Sequence, residues 1–231
     1  MTTTLITGAN RSLGREAARR LVAAGHTVLV GARDPQAGQA VAEELGARFV
    51  QLDVTDDASV AAAVADVTAH EGVLDVLVNN AGVNQPHQPP EELTAADAAA
   101  VFDVNVTGVV RVTRAFLPLL RTSAHPVIVN VSSGMGSFAL THDPERVEST
   151  FPAPLYSASK AALTMLTTQY AKAWPDIKVN AADPGYTATD FNGHSGPQTP
   201  TEGTDAIVEL ATIGADGPTG EFRDRHGVVA W

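Results

Sequence analysis

The sequence predicts an α/β fold: one domain over residues 1–231, organised as an open, doubly wound parallel sheet. Two observations carry this. Short apolar segments alternate with helical patterns along the chain, the mark of βαβ units and their right-handed crossovers. The first such unit is a strand, a glycine-bearing turn and an amphipathic helix, the context in which a turn binds phosphate rather than only reversing the chain. With 44% hydrophobic residues the chain can fill one core, and neither an internal repeat nor a linker-like stretch divides it.

Thr3-Thr4-Leu5-Ile6 reads as the first strand and Thr7-Gly8-Ala9-Asn10-Arg11-Ser12-Leu13-Gly14 as the turn. Leu13, Ala17, Leu21 and Val22 then line one face of a helix. Free N–H groups and the macrodipole at that helix start suit a pyrophosphate, provided small residues let it approach. Thr27–Ala32 is the second strand, whose end meets the adenine ribose in a dinucleotide fold. An acidic side chain there would accept from a ribose 2′-OH and repel a 2′-phosphate. This chain has Ala32 and then Arg33, with Arg11 reaching in from the turn, and two guanidiniums suit a phosphate; the expected cofactor is NADP(H). The competing reading of Arg33 is a solvated charge paired with Asp34. Further on, Asp57–His70 and Asp97–Leu120 carry helical patterns, while Val73–Val78 and Pro126–Val131 are short apolar strands. The alanine runs at 61–65 and 95–100 are good helix formers.

Tyr156 and Lys160 lie four residues apart, so on a helix they share a face about one turn apart. A free tyrosine ionises near pH ~10, and a neighbouring cation favours the phenolate, bringing the phenol toward the range where proton exchange with an alcohol or ketone is useful. Such pairs are common as a half-buried ring beside a solvated charge, so the catalytic reading depends on the company they keep.

That company is specific. Thr7 to Gly14, Asn79-Asn80-Ala81-Gly82, Asn105-Val106-Thr107-Gly108, Val129 to Ser133, Tyr156 to Lys160 and Pro184-Gly185 occur in order, and with them the chain resembles the short-chain dehydrogenase/reductase family over nearly its whole length. The stretch Pro184 to Asp190 and the ending Gly220-Glu221-Phe222 to Trp231 are most similar to the carbonyl reductase branch. The resemblance implies a Rossmann-type sheet in the order 3-2-1-4-5-6-7. It also implies a catalytic set of Asn105, Ser133, Tyr156 and Lys160. Tyr156 would protonate the carbonyl oxygen as hydride arrives, Ser133 would hydrogen-bond that oxygen, Lys160 would tune Tyr156 and bind the nicotinamide ribose, and Asn105 would hold a relay water. The cofactor would contact Gly8, Asn10, Arg11, Ser12, Leu13, Gly14, Arg33, Asp53, Val54, Asn80, Ala81, Gly82, Pro184, Gly185, Thr187 and Thr189 as well as Tyr156 and Lys160. Met135 and Leu155, together with Tyr186, Phe191 and His194 from a loop at about 186–203 that closes over substrate, adjoin these motifs and are the candidates for the substrate wall.

Two departures stand out. Ser12 occupies a position where the family usually has glycine, which implies altered cofactor affinity rather than loss of binding. Ser133 and Tyr156 are 23 residues apart, longer than is common in the family, and the excess, Thr141–Pro154, is polar and proline-rich, hence a surface excursion beside the active-site mouth rather than a helix.

The remaining features exclude more than they assign. A net charge of −11 with no basic run argues against nucleic acid. Zero cysteines exclude disulfides, thiol catalysis and thiolate zinc sites, and the seven histidines lack ligand spacing, so no metal is expected. Met1 leads at once into a strand and no apolar run of about 18 residues occurs, so neither a signal nor a membrane span is expected and the anticipated location is cytoplasmic. The expected partner is a small-molecule carbonyl or alcohol, the assembly a monomer or homodimer, and the reaction NADPH-dependent reduction of a small or medium ketone or aldehyde. The alternatives are the reverse reaction, an NADP-dependent alcohol dehydrogenase, and a non-catalytic NADP-binding redox sensor; filled catalytic positions argue against the sensor.

Overall fold

The computed structural model describes all residues from Met1 to Trp231. Eight strands form one sheet in the order β3-β2-β1-β4-β5-β6-β7-β8: β1 Thr3–Thr7, β2 Thr27–Ala32, β3 Arg48–Gln51, β4 Val76–Asn79, β5 Val127–Val131, β6 Lys178–Ala182, β7 Phe222–Asp224 and β8 Gly227–Val228. The first seven pair in parallel, and β8 folds back antiparallel on β7. The order anticipated for seven strands holds, with a short hairpin strand added at the edge.

The helices are α1 Ser12–Ala23, α2 Pro35–Leu45, α3 Asp57–His70, α4 Ala95–Phe102, α5 Gly108–Leu120, α6 Phe138–His142, α7 Pro154–Ala173, α8 Pro200–Gly203 and α9 Asp205–Ala211. They cover both faces, so the central strands are buried on each side and read as continuous apolar runs. Alternation within the strands sorts them. Ile6, Val28, Val30, Val76, Val78, Val127 and Val129 pack with Ala17, Leu21, Ile207 and Leu210 on one face. Leu5, Leu29, Leu77, Ile128 and Val179 stand in register on the other, against Val60, Val67, Val112 and Phe116.

Three local outcomes differ from the pattern reading. The helical stretch Asp97–Leu120 is two α-helices joined by a π-turn at Asp103–Thr107, which holds Asn105. π-turns are rare and concentrate at functional sites. The strand anticipated at Val73–Val78 runs Val76–Asn79. The insertion is mostly irregular, as expected, but α6 takes in its first two residues, a 3₁₀ turn covers Val147–Ser149, and Pro154 opens α7 as its first residue. Proline is suited to that position because the missing N–H has no helical partner there.

A buried polar ladder fixes α7 on the sheet. Asn79 Nδ2 donates to Asn130 Oδ1 (2.9 Å) and to Thr113 Oγ1 (3.1 Å), and Asn130 Nδ2 donates to Thr167 Oγ1 (2.9 Å). Each group is satisfied, so the ladder ties β4, β5, α5 and α7 without an orphaned donor.

Candidate active site

Parallel strands deliver their carboxyl ends to one edge, and in open α/β sheets that edge is where ligands bind. Here the ends of β1, β2, β4, β5 and β6 lead directly into Gly8, Arg33, Asn80, Ser132-Ser133 and Asp183-Pro184.

The glycine turn is shaped by close packing. Gly8 has φ +64°, and a Cβ on it would stand 3.1 Å from Ala81 Cα. A Cβ on Gly14 would stand 2.4 Å from the Gly8 carbonyl oxygen, so that helix turn closes only with glycine. Asn80 braces the same turn: its Nδ2 donates to Thr7 O (2.8 Å) and Gly8 O (3.2 Å), and its N–H donates to Thr7 Oγ1. No side chain caps the start of α1, whose first-turn amides are free to receive an anion. Ser12 is held at φ +47°, and its hydroxyl donates to Asp190 Oδ2 (3.1 Å) rather than bending away into solvent.

Arg11 and Arg33 are both exposed and neither forms an ion pair. Asp34, the partner offered to Arg33 by the competing reading, instead caps α2 by accepting from Gln36 N (2.9 Å) and Ala37 N (3.1 Å). Asp53 accepts from the Thr55 N–H and hydroxyl; partial burial pushes its pKa up, but these bonds and the field of Arg33 bring it below the usual carboxylate value. The Val54 carbonyl is held by Arg111 (2.6 Å). The free helix start and the two unpaired guanidiniums fit a phosphorylated dinucleotide.

The candidate reactive end sits on α7. Lys160 Nζ, buried at 5% exposure, donates to Val131 O (2.8 Å) and lies 5.6 Å from the centroid of the Tyr156 ring. Asn105 meets it across Gly82: the Asn105 Oδ1 and Lys160 Nζ stand 3.5 and 3.6 Å from where a Gly82 Cβ would lie. The Asn105 side chain is held at both ends, with Oδ1 accepting from Val83 N (2.9 Å) and Nδ2 donating to Val83 O and Ser159 Oγ. Ser133 faces Tyr156 and accepts from Met135 N (3.2 Å).

Electrostatics here run against the simple pair argument. Burial pushes the Tyr156 phenol up to about 12, and the Ser133 hydroxyl only partly opposes this. Burial lowers Lys160 to about 8. Burial, reinforced by the charge of Asp183, leaves Tyr156 a protonated phenol at neutral pH rather than a partial phenolate.

The substrate candidates divide. Phe191 packs on the Tyr156 ring (centroids 5.6 Å apart), and Phe151, from the insertion, packs on Tyr186 (6.1 Å). Met135 and Leu155 flank Ser133 and Tyr156. His194 lies elsewhere, on the Ser12 and Thr189 side, with Nε2 on Asp190 Oδ1 (2.9 Å). Thr187 and Thr189 are buried; Thr187 Oγ1 donates to Pro184 O (2.8 Å), and Gln198 covers Gly185. Three residues were not singled out by sequence. Gln85 Oε1 accepts from the Leu155 and Tyr156 amides and so caps the amino end of α7. Asp183 and Glu148 are buried carboxylates behind Ser133. Of these only Asp183 had a signal, an acid directly after an apolar strand and before Pro184-Gly185.

Comparison with known proteins agrees with this arrangement. The family model described as short chain dehydrogenase matches residues 2–200. A short-chain dehydrogenase of Penicillium roqueforti is 36% identical over 91% of this chain and 88% of its own length. The (−)-isopiperitenone reductase of Mentha piperita is 32% identical over 98% and 97%. The NADPH-bound carbonyl reductase from chicken fatty liver superposes with a TM-score of 0.89 at 29% identity, covering 100% of this chain and 99% of that one. A family model that matches residues 2–200, with relatives more than 30% identical over at least 91% of the chain, makes this chain an oxidoreductase of the short-chain dehydrogenase/reductase family.

Proposed function

We propose that the protein is an NADPH-dependent carbonyl reductase acting on small to medium, largely apolar ketones or aldehydes. The observation that carries the reading is geometric: Tyr156 and Lys160 share one face of α7, with Ser133 facing the phenol, at the same sheet edge as the uncapped start of α1 and the unpaired Arg11 and Arg33. NADPH, when bound, supplies the hydride. As hydride reaches the carbonyl carbon, negative charge develops on the oxygen; Tyr156 gives its proton to that oxygen and the Ser133 hydroxyl donates a hydrogen bond to it. Both donors are preorganised, so they stabilise the developing alkoxide more than the ketone. Lys160 keeps positive charge beside the phenolate left behind until a proton returns, and Asn105 anchors the segment around Val83 that borders it. Arg11 and Arg33 bind the 2′-phosphate, and both are free to do so. The aromatic lining from Phe151, Tyr186 and Phe191 favours an apolar substrate.

The test is a panel of ketones, aldehydes and quinones, followed by loss of NADPH absorbance and repeated with NADH. The expected result is turnover of apolar carbonyl compounds with a strong preference for NADPH. Equal efficiency with both cofactors would contradict the cofactor assignment, and no turnover across the panel would contradict the activity.

A further inference from the structure

Asp183 is a buried carboxylate to which the chemistry above gives no task. It lies between β6 and the Pro184-Gly185 turn, 3% exposed. Its N–H donates to the Arg223 carbonyl (2.7 Å), so backbone pairing with β7 fixes where the side chain stands. Oδ1 accepts from Gly185 N (2.9 Å). Oδ2 lies against Gly134, 2.9 Å from where a Cβ would be, and the Gly134 amide favours the ionised form. Gly134 follows Ser133, and Gly185 opens the loop that carries Tyr186, Thr187 and Thr189. The insertion comes to the same place: Glu148, 8% exposed, sets Oε1 2.6 Å from that Gly134 Cβ position, and Arg146 holds it through Nη2 to Oε1 (3.2 Å) and Nε to Oε2 (3.3 Å).

We propose that Asp183 is a positioning residue: one buried carboxylate fixes the turn bearing Ser133 against the turn that opens the Tyr186–Thr189 loop, and Glu148 of the insertion locks onto the same glycine. The inference rests on the reading of Tyr156 as proton donor. The charge of Asp183 acts in the same sense. It raises the pKa of both Lys160 and Tyr156, keeping the lysine cationic and the phenol protonated, the two forms that reduction uses. The charged and titratable groups facing it are Tyr156 and Lys160 of α7, Glu148 and Arg146 of the insertion and Asp224 of β7. Burial first, then Glu148 and Asp224, bring Asp183 up to about 6, so its charge is present at neutral pH and lost in mild acid.

Asp183→Asn keeps the size and one acceptor oxygen and removes the charge. For a ketone that the wild type reduces, kcat is expected to fall about tenfold to 10²-fold, the scale of a small misplacement of reacting groups. The NADPH dissociation constant stays unchanged, and the basic limb of the kcat profile moves to lower pH as Lys160 loses its proton earlier. Should this variant not fold, Glu148→Gln reads the same coupling, because removing the neighbouring charge moves the acid limb to lower pH. A ¹³C NMR titration of side-chain carboxyls in wild type and Glu148→Gln needs no substrate, so it separates this inference from the carbonyl reductase reading. A failed substrate panel defeats only that reading. Unchanged kcat with superimposable pH profiles for Asp183→Asn, or a carboxyl titration indifferent to Glu148, overturns the inference.

Discussion

At the scale of single residues, the site is under-solvated where it is chemically useful. The folded pKa of Lys160, about 8, lies below its ordinary value of 10.5. Its contribution to stability is therefore present above the unfolded pKa and lost as pH falls through about 8, so at pH 7 the native state carries the cost of a buried ammonium. Lys160→Met should abolish turnover yet raise the melting temperature at pH 7, with the gain shrinking as pH approaches 10; thermal denaturation at both pH values checks this, and equal melting temperatures at pH 7 would contradict it. Ser12 is the second strained residue. A left-handed non-glycine conformation costs about 1–2 kcal/mol, while glycine returns about 0.5–1 kcal/mol through the freedom of the unfolded chain. Ser12→Gly should thus change stability by no more than about 1.5 kcal/mol, and its larger effect should be tighter NADPH binding, since the Oγ bond to Asp190 is lost and backbone approach is eased. Unaltered affinity in a fluorescence titration would show that the turn opposes nothing. The Tyr156–Lys160 pair was legible from its spacing, but the direction of the Tyr156 shift was not, because burial and the nearby Asp183 are set by the surrounding fold.

At the scale of elements, the proposed roles are cofactor choice for the end of β2 and access for the insertion. Ala32→Asp with Arg33 replaced by a neutral residue should move preference from NADPH toward NADH, since a carboxylate accepts from a 2′-OH and repels a 2′-phosphate. Ratios of kcat/KM for the two cofactors measure it, and an unchanged ratio would remove Arg33 from the phosphate site. Replacing residues 141–153 by a tight loop takes Phe151 off Tyr186 and Glu148 off Gly134. The variant should discriminate less between bulky and small ketones and keep the NADPH dissociation constant, because α1 and the end of β2 are untouched; unaltered specificity would make the segment a passive surface loop. The insertion was legible as an excursion from its prolines and polarity. Its inward contacts were not, since a polar stretch gives no sign that Glu148 will be buried beside Gly134. The Asn105 π-turn was likewise hidden, because its residues continue a helical pattern without a break.

At the scale of the whole molecule, the sheet was the most legible feature. Strands such as Val127–Val131 are apolar throughout because both faces are covered, and the motif residues follow strand ends because parallel crossovers deliver them there. What the sequence could not give are contacts between segments far apart in the chain: Gln85 to Tyr156, Asp183 to Gly134, Ser12 to Asp190. No periodicity encodes these. No helix is long and apolar enough to cross a membrane. The proposed mechanism depends on Tyr156 as the proton donor. The most direct measurement is steady-state NADPH oxidation by Tyr156→Phe on a ketone that the wild type reduces, with cofactor binding measured by fluorescence alongside. Loss of the general acid predicts a fall in kcat on the order of 10² to 10⁴ with the NADPH dissociation constant nearly intact, because the ring that packs against Phe191 remains. Near-normal turnover by Tyr156→Phe would contradict the mechanism.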